Sequence, residues 1–188
     1  MGVQTWSNPL VVALSDGPTL TAAAAASCLP TPAVYTLPNG FFYNTGKMLR
    51  IRAQGRISCA VTTPGTARFD IRLGASAIIA FDTGAMNLNV VAKTNVGWDL
   101  NLLLTARTIG SSTTATILGQ GTWTSEAVVG SPLPTAGGSG VFTLPYNTAP
   151  VVGAGFDSTS ALKVDMFYTQ TVATGSFTLH QYLLEEIG

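Results

Sequence analysis

The chain has 188 residues, of which 46% are hydrophobic and only 10% charged, with nine cationic and nine anionic side chains in balance. About 25% charge is usual in a globular domain, and a neutral, charge-poor chain has little to keep single copies dispersed, so the composition points to a surface partly covered by other subunits. It offers no basic excess for nucleic acid or an anionic membrane, no apolar run near the ~18 residues of a membrane span, and a length that suits one domain folding without a metal or disulfide.

Residues 1–18 read as an N-terminal arm ahead of a body at 19–188. Trp6 and the run Leu10, Val11, Val12, Ala13, Leu14 are sticky, and Asp16-Gly17-Pro18 is a turn signal. The segment MGVQTWSNPLVVALSDG has no basic region ahead of its short apolar run, which argues against a secretory signal. It also lacks the Ser or Thr a myristoylation signal carries at its sixth position. Thr21–Ser27 (TAAAAAS) has helix propensity, yet Pro18 and Pro30 bracket it too closely for more than two turns, and it reads as extended or coil. Val34–Leu37 is a short strand, Pro38-Asn39-Gly40 a turn, and Phe41, Phe42 and Tyr43 a plug for the core.

The clearest element is Lys47–Cys59, KMLRIRAQGRISC. Leu49, Ile51, Ala53, Gly55, Ile57 and Cys59 alternate with Arg50, Arg52, Gln54, Arg56 and Ser58, the period-two pattern of a half-buried strand. Thr63-Pro64-Gly65 then leads into Thr66–Leu73, where Ala67, Phe69, Ile71 and Leu73 alternate with Arg68, Asp70 and Arg72. The pair reads as a hairpin, and were the arginines adjacent they would form a basic patch, or else a solvated or inter-subunit salt-bridging face.

Ala77–Phe81 is a further strand, followed by a turn at Asp82-Thr83-Gly84. Val96–Thr108 places Trp98, Leu100, Leu102, Leu104 and Ala106 on one face, with Leu103 expected to be partly buried on the other. Thr114–Ser125 is a Thr-rich strand whose Gly119 and Gly121 mark a bulge or a close backbone approach. Gly130–Asp157 is the longest irregular region, with a short strand at Val141–Leu144. The chain closes on what reads as a second hairpin, Leu162–Thr169 and Phe177–Leu184 across a turn at Ala173-Thr174-Gly175. About eight to ten short strands without a long helix mean an all-β, single-domain antiparallel β-sandwich, best matched by a jelly roll.

Catalytic signatures are sparse. His180 is the only histidine, so a nucleophilic triad has a single candidate base; it reads as a structural residue sharing a strand face with Thr178, Tyr182 and Leu184. The carboxylates form no recognisable acid–base pair. Gly137-Gly138-Ser139-Gly140 lacks the Lys-Ser/Thr of a phosphate loop, and Asp82 alone is a poor calcium ligand. Cys28 and Cys59 are not in metal-ligand spacing and read as buried thiols made in a reducing cytoplasm, with one disulfide left open. Neither a cofactor nor a metal is called for. Trp98 and Trp123 read as core or interface anchors, and Trp6 as the better intermolecular contact.

The segments GKMLRIRAQGRIS, VTTPGTARFDIRLG, AKTNVGWDLNLLLTARTIG, GQGTWTSEAVVGSPLP and SFTLHQYLLEE resemble a family of small tailed-bacteriophage virion proteins, from about Thr19 onward. The resemblance implies a β-sandwich virion component assembled in the host bacterial cytoplasm, and not an enzyme. It suits a capsid decoration or cement protein: a homotrimer clamping the major capsid protein or other virion proteins, without nucleic acid or membrane. The candidate partner-binding residues are then Trp6, Leu10, Val11, Val12 and Leu14 of the arm and His180, Tyr182 and Leu184 of the last strand. Rival expectations are a tail or fibre-tip module binding a host glycan, a secreted signalling-type jelly-roll trimer, and last a carbohydrate-active enzyme.

Overall fold

A computed structural model of the chain describes residues 6–60, 63–128 and 140–188. Apart from a 3-10 turn at Thr31–Ala33, its regular structure is β: β1 (Ser7–Val12), β2 (Ala25–Ser27), β3 (Tyr35–Leu37), β4 (Met48–Cys59), β5 (Thr66–Leu73), β6 (Ile78–Asp82), β7 (Met86–Asn87), β8 (Lys93–Thr108), β9 (Thr116–Ser125), β10 (Val141–Leu144), β11 (Leu162–Gln170) and β12 (Ser176–Ile187). A front sheet runs in the order β1-β12-β4-β8-β9-β10. A back sheet runs β2-β11-β5-β6, with β3 beside β2 on β11 and β7 beside β6 on β5. All pairings are antiparallel. The core order β1-β12-β4-β8 facing β2/β3-β11-β5-β6 is that of a jelly roll, extended at the β8 edge by β9 and β10.

The two expected hairpins are not hairpins. β4 pairs β12 and β8 in the front sheet, whereas β5 pairs β11 and β6 in the back sheet. The link at Thr63-Pro64-Gly65 therefore crosses between layers. β11 and β12 likewise lie in opposite sheets. Alternation reports which face of a strand is buried but not which strand lies beside it, and a jelly roll sends successive strands to opposite layers. Arg50, Arg52 and Arg56 consequently lie on the outside of the front sheet and Arg68 and Arg72 on the outside of the back sheet, so no joint patch forms.

Of the residues read as an arm, those from Trp6 onward fold into the body, and residues 1–5 lie outside the described residues. β1 is the edge strand of the front sheet against β12, and the chain stays on β12 beyond it, with Ala13 N donating to Tyr182 O at 2.9 Å and Gly17 N to Leu179 O at 2.9 Å. At TAAAAAS the extended reading holds: Ala25–Ser27 pairs β11 at Phe167–Thr169.

Between the sheets sits a stack of aromatic rings. Phe69 of the back sheet meets Trp98, Trp123, Tyr168 and Phe177 at centroid distances of 5.9, 5.0, 5.5 and 5.6 Å. Phe177 is stacked between Trp98 at 4.7 Å and Tyr168 at 3.9 Å. Such pairs add about 0.5–1.5 kcal/mol each beyond the area they bury, and here they join the layers. Gly55 is small for the same reason: a Cβ there would lie 2.8 Å from the Trp98 ring. Gly119 shows the expected close approach, since its Cβ would fall 2.2 Å from Phe81. Phe41 and Phe42 are buried as a core plug, but Tyr43 points outward and is 66% exposed.

Candidate functional site

The outer faces of the two sheets carry most of the charge, and they carry it differently. On the back sheet, Arg68, Asp70 and Arg72 recur on one side of β5, next to Lys163, Asp165 and Phe167 of β11. Asp70 accepts from Arg68 Nε at 2.9 Å and Arg72 Nη2 at 3.1 Å, and Arg68 also reaches Asp82 at 2.6 Å. The Arg72 guanidinium lies 3.8 Å from the centre of the Phe167 ring. Asp165 accepts from Ser27 Oγ at 2.6 Å and faces Lys163 Nζ at 3.4 Å. Asp70 and Asp165 are almost fully buried although nothing but their own neighbours covers them. This face closes its charges on itself. Beside Asp165, where β2 and β3 leave part of the β11 edge unpaired, lies a groove of about 570 Å³ edged by Ser27, Leu29, Thr31, Thr36, Lys163 and Asp165.

The front face is open by contrast. Reading across β12, β4, β8 and β9, its outward rows are Glu185–Arg50–Leu103–Gln120, Leu183–Arg52–Asn101–Thr122 and Gln181–Gln54–Asp99–Thr124. Arg50 pairs Glu185 at 3.3 Å, and Gln54 Nε2 donates to Asp99 Oδ2 at 2.7 Å. Arg52, Arg56 and Arg107 are exposed, and among the described residues they alone of the lysines and arginines make no ion pair. Leu103, expected to be partly buried, is 41% exposed on this face. A shallow groove of about 420 Å³ crosses it, between Val12 and Ala13 on one side and Arg52 and Gln54 on the other, with Gln181 and Leu183 beneath.

That groove overlies an irregularity in β12, whose register against β4 shifts between Leu179 and Gln181. His180 is the extra residue, so Phe177 and Leu179 before it and Tyr182 and Leu184 after it all point inward. This overturns the grouping of His180 with Tyr182 and Leu184. Tyr182 and Leu184 are core residues, unavailable to a partner, while His180 is half-buried with its Nδ1 2.9 Å from Asp16 Oδ1. The contact ties the segment after β1 to the bulge. Strict alternation across FTLHQYLL hides the slip; the sequence clue is the change in spacing of large apolar residues after Leu179.

The arm residues divide in the same way. Leu10 and Val11 pack against the core, whereas Val12 (48% exposed) and Leu14 (86%) point to solvent. Trp6 packs at home: its backbone exchanges two 3.1 Å hydrogen bonds with Gly188, and its ring lies 5.3 Å from Lys47 Nζ. Lys47 itself is buried at the end of the sandwich, paired with Glu186 and also over the rings of Phe41 at 5.1 Å and Tyr43 at 4.8 Å. Alternation places Lys47 on the core side of its strand, a position where a sequence reading expects no charge.

Chemistry-bearing groups are otherwise occupied or sealed. Cys28 and Cys59 are free, buried thiols; burial raises both pKa values, that of Cys28 strongly. Burial also pushes the Tyr168 and Tyr182 phenols far above their usual range. Hydrogen bonds from the Thr159 hydroxyl and backbone lower the Asp157 pKa in its turn. Asp82 is used by Arg68 and by Gly84 N. Among the described residues no three of His, Cys, Asp and Glu gather in one place. Gly137-Gly138-Ser139 lies outside the described residues.

No protein-family model matches the sequence, and no curated protein matches it. Among solved structures, the chain is similar to the CBM2 module of the evolved Dit of Lactobacillus casei BL23 phage J-1, over 98% of each chain at 9% identity, with a TM-score of 0.31. A likeness of that degree leaves the functional reading to the residues themselves.

Proposed function

We propose that this protein is a non-enzymatic structural component of a tailed-phage virion, a capsid decoration or cement protein that forms a symmetric trimer and clamps the head lattice. The observation that carries the reading is the inequality of the two outer faces. The back face neutralises its own charges, whereas the front face is wide and, among the described residues, holds three arginines that make no ion pair. Exposed Val12 and Leu14 border it, in keeping with a contact made through the first strand. The resemblance of GKMLRIRAQGRIS and its companion segments to virion proteins supports the same setting. Such a protein works by buried area: interfaces of about 1,600 Å² repeated over a shell resist pressure without chemistry.

Light scattering of the purified protein is expected to give three times the 19.4 kDa chain mass; a monomer at micromolar concentration refutes the trimer. Cryo-electron microscopy of intact particles tests the location. Leu14→Asp, at a site 86% exposed, is expected to fold normally and lose head attachment, and undiminished attachment would remove the segment that follows the first strand from the interface.

A second reading, a tail or fibre-tip module that binds a host glycan, is favoured by the back-sheet groove. There the Asp165 carboxylate, the Lys163 ammonium and the Ser27, Thr31 and Thr36 hydroxyls converge beside Leu29, a polar set suited to sugar hydroxyls. Glycan-array binding lost in Lys163→Ala, together with a tail location, would select it over the first.

A further inference from the structure

We propose that the groove on the front sheet between Val12 and Arg52 is the docking site for an acidic segment of another protein, one carrying a carboxylate flanked by apolar side chains. The inference deepens the virion reading, on which it depends for the partner's identity but not for the chemistry.

Among the described residues six of the nine lysines and arginines are ion-paired, and the three that are not all project from the same face. Arg52 and Arg56 stand on β4, four residues and about 13 Å apart, and Arg107 lies farther along β8. Among the described residues the carboxylates of that face are Glu185, held by Arg50, and Asp99, held by Gln54, with Asp16 at its margin 2.9 Å from His180. Four arginines against these three carboxylates leave the face net positive on a molecule whose net charge is zero. A guanidinium binds a carboxylate in a bidentate fork, and does so more strongly where apolar walls thin the solvent.

The groove supplies those walls. Val12 flanks it, Leu183 forms part of its floor, and Arg52 stands at its rim. The groove lies beside the bulge at His180, and the Asp16 contact ties the stretch after Ala13 to that bulge. An extended segment laid along it would place a carboxylate on Arg52 and its apolar neighbours on Val12 and Leu183.

The occupant is not a second copy of this chain. Of its carboxylates Asp16, Asp99 and Asp157 have no lysine or arginine partner, and each is engaged locally, Asp16 by His180, Asp99 by Gln54 and Asp157 by Thr159 and Ser160. Nucleic acid is equally poorly served, because Asp99 and Glu185 interrupt the arginines and there is no basic excess.

The test uses the purified, isotope-labelled full chain titrated by NMR with a capped peptide alternating valine and glutamate, with a lysine-for-glutamate peptide and inorganic polyphosphate as controls. The acidic peptide is expected to shift the amides of Gln54, Asn101, Gln181 and Leu183 and to leave the β5 and β11 amides unmoved. Arg52→Glu should weaken binding about tenfold, the order expected for reversing one desolvated charge contact, and Lys163→Glu on the opposite face should not. Absence of shifts at the solubility limit, equal binding by Arg52→Glu, or tighter binding of polyphosphate than of peptide would each overturn the proposal. No virion enters the measurement, so a failed titration faults the groove alone, whereas failed particle attachment with an intact titration faults the virion reading.

Discussion

Removing Lys47 should be among the most damaging single changes in the molecule. Its side chain is 4% exposed and that of its partner Glu186 is 12% exposed, so neither charge has water to fall back on. Breaking a buried pair by removing one member costs about 3–5 kcal/mol, because the other charge is stranded. The rings of Trp6, Phe41 and Tyr43 that surround the ammonium make this worse in Lys47→Met, since the negative faces that attract a cation repel the remaining carboxylate. In a chain of this size each kcal/mol lowers Tm by about 2–4 °C, so Lys47→Met should lose roughly 6–20 °C, and Glu186→Leu a similar or smaller amount. The double variant Lys47→Met with Glu186→Leu should recover most of the loss, because an apolar plug of similar volume needs no desolvation. Urea unfolding followed by tryptophan fluorescence supplies the four corners of the cycle. A coupling energy above about 2 kcal/mol is expected; single losses below about 1 kcal/mol that simply add would show that the pair is solvated and the reasoning wrong.

Two further outcomes follow from the interior. The Tyr168 and Tyr182 hydroxyls are buried without a hydrogen-bond partner among the described residues, so Tyr168→Phe and Tyr182→Phe should be neutral or mildly stabilising by denaturant melts; a loss above about 1 kcal/mol would reveal a partner. Because both folded-state pKa values are raised above the ordinary value of 10, the contribution of these neutral phenols is fully present below pH 10 and lost as pH climbs beyond it. Absorbance at alkaline pH should show both ionising only together with unfolding, and phenolate signal from them in the native fold would contradict their burial. Gly119→Ala would drive a methyl group into the Phe81 ring, which should cost about 1–3 kcal/mol. Phe81→Leu in the same chain should restore part of that, and full additivity of the two losses would argue against the contact.

Strand identity was readable because one face of each long strand is buried and the other wet. RIRAQGRIS on β4, FDIRL on β5 and WDLNLLLTA on β8 each announce their inward residues without ambiguity. Pairing was not readable, because the same alternation is satisfied whether a tight turn folds the strand back on its neighbour or carries it across to the other layer. At His180 a single inserted residue inverts the inside–outside pattern, so Tyr182 looked accessible until the register against β4 was known. Lys47 is not legible as a buried charge because no local signal marks a lysine whose carboxylate lies 139 residues away and whose aromatic neighbours come from two separate parts of the chain. Asp70 was more legible: an acid between two arginines at alternate positions of a strand puts all three on one face, within reach of one another.

The scarcity of charge takes on a different meaning once the pairs are placed. With most lysines and arginines committed to partners inside the chain, few remain to advertise a binding surface, and those few become informative by position. A scattering of Arg52, Arg56 and Arg107 over loops and both faces would signify only solubility. Their confinement to one sheet face, with Arg52 on the rim of a groove whose facing side is Val12 and Ala13 and with the opposite face already neutralised, is what a surface built to meet an acidic counterpart requires. Solubility alone gives no reason for the back sheet to bury Asp70 and Asp165 between their own cations while the front sheet leaves its arginines unanswered. The difference between the faces, more than the low charge itself, directs the search for a partner to the β1–β12–β4 side of the molecule.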